Sequence, residues 1–138
     1  MERHPAKVLE PGDVRRLLRH VELQRHALRN RVMVLLSFKA GLRACEIAGL
    51  DWSMVLASNG RISDLPNIAA SIAKKGSGRI IPLHPDVKLA LAAHHAASDY
   101  PQAGPVTRSE RGAAMTARSV VNWFASVYRE LGYVGCSS

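Results

Sequence analysis

Apolar residues first recur along the chain at helical spacing. Val14, Leu17, Leu18 and Val21 follow Glu10-Pro11-Gly12-Asp13, where Pro11 suits a first turn and Asp13 favours the positive helix end. Leu28, Val32, Leu35 and Leu36 repeat an i, i+4, i+7, i+8 pattern until Gly41 interrupts it, and a third, short helix is predicted over about 42–50. The rhythm then changes. Asn59-Gly60 signals a turn, and 67–73 and 79–83 read as two short strands joined by the basic, glycine-rich tip Lys74-Lys75-Gly76-Ser77-Gly78. Helical spacing returns over 85–98, with Val87, Leu89, Ala90, Leu91 and Ala93 as the apolar members. After a Pro-, Gly- and charge-rich loop at 100–112, it returns again over 116–131, with Val120, Val121, Phe124 and Val127 on one side and Gly132 as C-cap. The pattern predicts a mainly α fold with a small antiparallel β-sheet. It forms one domain over 1–138, helical over 10–50, with the sheet in 54–83 and helices again over 85–132.

Length and composition narrow the class. A chain of 138 residues with 47% hydrophobic content can bury a core, and no run approaches the roughly 20 apolar residues a membrane span requires. The opening MERHPAKVLEPGD lacks the apolar stretch of a secretory signal. Two cysteines, Cys45 and Cys136, are too few and too far apart for a disulfide framework, so the reducing cytoplasm is the expected compartment. Charge changes the picture more. Nineteen Lys and Arg against eleven Asp and Glu leave +8, which favours a polyanionic partner. Nucleic acid leads, with a ribosome-associated, membrane-surface or merely basic protein as the alternative.

The stretch KAGLRACEIAGLDW places Arg43 among residues suited to an interior. A guanidinium there either pairs within the protein or waits for an anion. Glu46, three residues on, can pair with it along the helix. Alternatively, Glu46 and the helix start fix the arginine and leave its fork free for a phosphate. Lys74 and Lys75 at the hairpin tip are open to two readings, a solvated turn or a lysine that reaches a ligand and acts as general acid. His84, His94 and His95 do not make a metal set, because adjacent helical residues diverge by about 100° and no cysteine or carboxylate completes them. Cys45 reads as a small filler, and Trp52 and Trp123 as core anchors, with stacking near DNA the alternative for either.

Taken in order, these motifs resemble a known family. Gly41-Leu42-Arg43, Glu46, Leu50 and Trp52 form GLR-x-x-E-x-x-x-L-x-W, and Lys74, Arg79, Pro82 and Leu83 form K-x-x-x-x-R-x-x-P-L. Ser119 to Phe124 then continues the register as S-V-x-x-W-F. The chain resembles, from about Leu9 onward, the front portion of the catalytic domain of the tyrosine recombinase (phage integrase) family. The resemblance implies site-specific cleavage and rejoining of double-stranded DNA through a phosphotyrosine link, without metal or nucleotide cofactor, by subunits that assemble as a tetramer on DNA. It makes Arg43 a catalytic arginine and Lys74 the lysine that protonates the leaving 5′-oxygen, with Lys75 the runner-up. Glu46 becomes the supporting acid, and Arg79 a DNA-backbone or strand position.

The family's second half of the site, a His-x-x-Arg, a further His or Trp and the nucleophilic tyrosine, follows a helix like 116–131. It has no counterpart between that helix and Ser138. The core-binding domain that precedes a segment like 8–18 is expected to be missing too. Tyr100, Tyr128 and Tyr133 lie upstream of the nucleophile's place and read as packing or surface residues. The resemblance thus implies half a site, inactive alone. The alternative is a non-catalytic DNA-binding module or a protein-interaction remnant on the same scaffold.

Overall fold

The computed structural model describes residues 10–73 and 78–132. Helix α1 spans Pro11–Val21, with Pro11 at its first position and the Asp13 carboxylate accepting the Glu10 N–H at 3.1 Å. Val14, Leu17 and Val21 are its buried face. Helix α2, Ala27–Phe38, is buried on several sides at once through Val32, Met33, Val34, Leu35 and Leu36. It packs against α1 and against α5, Pro85–Ala97. Helix α3, Ala44–Gly49, packs instead on α6, Ala117–Glu130. Between α3 and the sheet lies α4, Trp52–Val55, a turn of helix that the sequence pattern does not predict.

Capping sets the helix limits. Thr116 and Ser119 exchange hydrogen bonds at the start of α6, the Thr116 hydroxyl accepting the Ser119 N–H at 3.0 Å and the Ser119 hydroxyl accepting the Thr116 N–H at 2.8 Å. His84 opens α5 through Nδ1, which accepts the Asp86 N–H at 3.0 Å. Gly132 follows α6 with φ +77, the left-handed geometry expected of a helix-ending glycine.

The sheet is antiparallel, but shorter than expected. Its strands are β1, Asn67–Ile68, and β2, Arg79–Ile80, in the register Asn67 to Ile80 and Ile68 to Arg79. Two features cut it short. Pro66 has no N–H to donate, so the pairing continues past it only through Ile81 N–H to Pro66 O and Leu83 N–H to Asp64 O, at 3.1 and 3.0 Å. On the other side the chain turns at 69–72, the Ile72 N–H donating to Ala69 O at 3.2 Å. That turn brings Ile72 against Gly49, where a Cβ would stand 2.6 Å from the Ile72 Cγ2. The fold is thus α+β, mainly helical with a small antiparallel sheet.

Several positions predicted to face the core do not. Leu89 is 70% exposed, and Leu28, Ala93 and Val121 are exposed as well. On α5 the inward set is Val87, Ala90, Leu91 and His95, and on α6 it is Val120, Phe124, Val127 and Tyr128. Each is a cleaner i, i+3, i+4 stripe than the full run of apolar residues, and Leu89 and Val121 fall outside it.

Candidate functional site

Arg43 reaches its position through the end of α2. Gly41, at φ +67, reverses the chain so that the Leu42 N–H returns to Leu36 O at 3.0 Å and Leu42 is buried. Arg43 follows as the residue preceding α3, with extended backbone and an exposed side chain. Among the described residues its guanidinium makes no hydrogen bond or ion pair. The i, i+3 side-chain pair that the sequence allows with Glu46 is not formed.

Glu46 is occupied elsewhere. Its side chain is 0% exposed, in a helix whose neighbouring Ile47 and Ala48 are also buried. Its Oε1 accepts the backbone N–H of Arg43 at 2.9 Å. Arg79 of β2 then grips the carboxylate with both arms, Nη1 to Oε2 and Nη2 to Oε1, the latter at 3.0 Å. Burial pushes the Glu46 carboxyl up, but the Arg79 hydrogen bond, the Arg43 N–H and both positive charges outweigh it and leave it below the ordinary carboxylate value. The Arg79 guanidinium is correspondingly raised by that hydrogen bond. Arg79 of β2 is thus the partner of Glu46 on α3, a link the sequence reading misses. An acid in a helix otherwise fit for burial demands a cation, and Arg79 is the one the hairpin returns to it. Lys74 and Lys75 lie outside the described residues.

A His-x-x-Arg run does occur, at His26 to Arg29, ahead of Arg43 in the chain. Its Arg29 donates to Asn30 Oδ1 through Nε at 3.0 Å and to Arg108 O through Nη1 at 2.6 Å. It therefore fastens the start of α2 to the 100–112 loop. About 13 Å of α2 follows Arg29 before the helix ends ahead of Arg43, and the Arg29 donors are already used within the protein.

The histidines also have structural work. His94 Nε2 donates to Val106 O at 2.8 Å, His95 Nε2 donates to Pro101 O at 2.7 Å, and Trp52 packs against both rings. Burial lowers the His94 pKa, outweighing the Val106 hydrogen bond, which raises it. No group of three metal-ligating side chains occurs among the described residues. Of the tyrosines, Tyr128 is 2% exposed beside Phe124, and the Tyr100 ring packs edge-on against His95. Tyr133 lies outside the described residues.

The family model described as "Phage integrase family" matches residues 7–133, a span that includes Arg43, Glu46 and Arg79 in order. The chain belongs to the phage integrase family. A crystal structure of XerA recombinase is similar in fold, with a TM-score of 0.71 at 15% sequence identity. The similarity covers 97% of this chain and 47% of that one, so the chain spans about half the length of this solved relative. No curated protein matches. Within the phage integrase fold, α3 and the β1–β2 hairpin are the elements that carry the matched motifs, and the Glu46–Arg79 pair ties one to the other. No helix among the described residues is long and apolar enough to cross a membrane.

Proposed function

We propose that this chain acts in site-specific DNA recombination and contributes the Arg43 portion of a site that cleaves and rejoins DNA strands. The observation that carries this is the state of Arg43, an exposed fork that makes no hydrogen bond or close ion pair among the described residues, beside an acid already bonded by Arg79. A permanently charged planar donor of this kind suits the non-bridging oxygens of a phosphodiester. As the phosphorus passes through a five-coordinate transition state, charge grows on those oxygens and Arg43 neutralises it. Lys74, five residues before Arg79, is proposed to give its proton to the 5′-oxygen as the phosphorus–oxygen bond breaks, with Lys75 as its alternate or as a backbone contact.

The attacking phenol oxygen does not come from the tyrosines of these 138 residues. Two of them are engaged in packing, Tyr100 against His95 and Tyr128 against Phe124. The chain alone is therefore proposed to bind duplex DNA without cleaving it. Assembly as a tetramer on DNA and action in the cytoplasm belong to the same proposal.

The test is binding of a mixed-sequence DNA duplex, followed by fluorescence anisotropy over a salt series. Affinity falls with salt, and Arg43→Ala weakens it on the order of tenfold while reducing the slope of log K against log salt by about 0.9, the share of one phosphate contact. Absence of binding at low salt overturns the DNA reading. A covalent protein–DNA adduct on a nicked duplex overturns inactivity of the chain alone. A non-catalytic DNA-binding module on the same scaffold shares the first result, and differs if supplying the missing site residues in trans restores no cleavage.

A further inference from the structure

Two arginines are placed to serve one buried carboxylate, and only one of them does. We propose that Arg79 is a positioning residue that occupies the Glu46 carboxylate and so keeps it from capturing Arg43, whose fork stays available to a DNA phosphate. This rests on the reading of Arg43 as a phosphate contact, and it replaces DNA contact as the role of Arg79.

The geometry carries the inference. Glu46 is fully enclosed, and a buried carboxylate requires compensation by hydrogen bonds and opposite charge. Arg43 is the local candidate, because it is the N-cap of α3 and its own N–H already reaches the Glu46 carboxylate. Of the Arg43 donors only the backbone N–H bonds to Glu46, at 2.9 Å; the Arg43 charge acts on the carboxylate without a hydrogen bond, and the guanidinium that bonds it comes from β2. Arg79 spans both carboxylate oxygens, a bidentate grip that leaves Glu46 little reason to recruit a second guanidinium. With Arg79 removed, the nearest replacement cation is Arg43. An ion pair there would turn its donors inward and cancel its charge. Arg79 is 41% exposed, so its guanidinium is also visible to DNA, and the experiment has to separate the two roles.

The full chain is titrated against the same mixed-sequence duplex over a salt series, beginning with Arg43→Ala. An unchanged affinity in that variant overturns the phosphate reading, and the inference with it. Given the expected loss, Arg79→Met loses about as much, on the order of tenfold, and reduces the salt slope by about 0.9. Adding Arg43→Ala to Arg79→Met then changes little, because the fork is already spent. The decisive variant is Glu46→Gln with Arg79→Met. It removes both members of the pair, keeps the net charge of the cluster, and leaves no carboxylate to capture Arg43. Recovery of most of the lost affinity and salt slope is expected. Additive losses from Arg43→Ala and Arg79→Met, with no recovery in the Glu46→Gln background, overturn the inference alone and make Arg79 a phosphate contact. Unchanged affinity and slope in Arg79→Met also overturn it, because a purely structural arginine moves neither. Should Arg79→Met fail to fold, the double variant buries no charge and decides by itself. Near wild-type affinity supports the inference, and a tenfold loss overturns it.

Discussion

Glu46 is held ionised in a place where a carboxyl group would by itself prefer to be neutral. Its folded pKa lies below the ordinary value because Arg79 and the Arg43 N–H outweigh burial. A depressed pKa gives stability that is complete above the unfolded value near 4.5 and is lost as pH falls through the folded value. Urea unfolding followed from pH 7 downward should therefore show an acid-side loss that begins below about pH 4.5 and is reduced in Glu46→Gln. An acid limb that is the same in both proteins would contradict this. The sequence shows why such a residue is needed without showing its partner. Glu46 three residues after Arg43 reads naturally as a local ion pair, and local spacing contains no sign that Arg79, thirty-three residues away, takes that role. Likewise His26 to Arg29 looks like chemistry on paper, and only the fold shows Arg29 bonded to Asn30 and to the Arg108 carbonyl.

At the level of elements, Asp51 holds more together than its position before a single turn suggests. Its Oδ2 accepts the Ser53 N–H at 2.9 Å and the Ser53 hydroxyl at 2.6 Å, while Oδ1 accepts the Gly104 N–H at 2.9 Å. The Trp52 N–H in turn donates to Gly104 O at 2.9 Å, so the cap of α4 also anchors the 100–112 loop. Asp51→Ala should cost about 1–2 kcal/mol, from a lost cap and a part-buried N–H left unpaired, read as a lower urea midpoint at constant slope. A change within a few tenths of a kcal/mol would show that the anchor contributes nothing. Helices α1, α5 and α6 are legible because apolar stripes at 3.6-residue spacing fit one face of a helix and no face of a strand, and α2 because its apolar pattern, Leu28 to Phe38, is too long for a strand. The strands are not. Pro66 and the 69–72 turn limit β1 to two residues, although 67–73 alternates acceptably as sequence. The apolar count also overstates the core, since Leu89 and Val121 lie outside the buried stripes of their helices.

Across the whole molecule, one core joins the two helical groups. It runs from Leu17 and Val21 of α1 through α2 to Leu91, and continues through Ile47 and Trp52 to Phe124 and Val127. Phe124→Ala opens this core in the last helix and should cost about 3–5 kcal/mol. Because the core is shared, unfolding followed by helical circular dichroism and by fluorescence of Trp52 and Trp123 should shift together as one transition. Separate midpoints would mean that α6 and the front helices unfold independently. This scale is the most legible. The order of elements and the α+β class follow from where the hydrophobic period changes, whereas the pairing of Glu46 with Arg79 depends on how the hairpin folds back.

Gly49 gives that pairing a mechanical character. With a Cβ only 2.6 Å from the Ile72 methyl, there is no clearance between α3 and the turn that ends β1. The helix that begins beside Arg43 and the base of the hairpin that returns with Arg79 therefore meet like two faces of a joint without play. A displacement of either one is handed directly to the other, so the helix start and the hairpin base shift as one jaw rather than as two independent fingers.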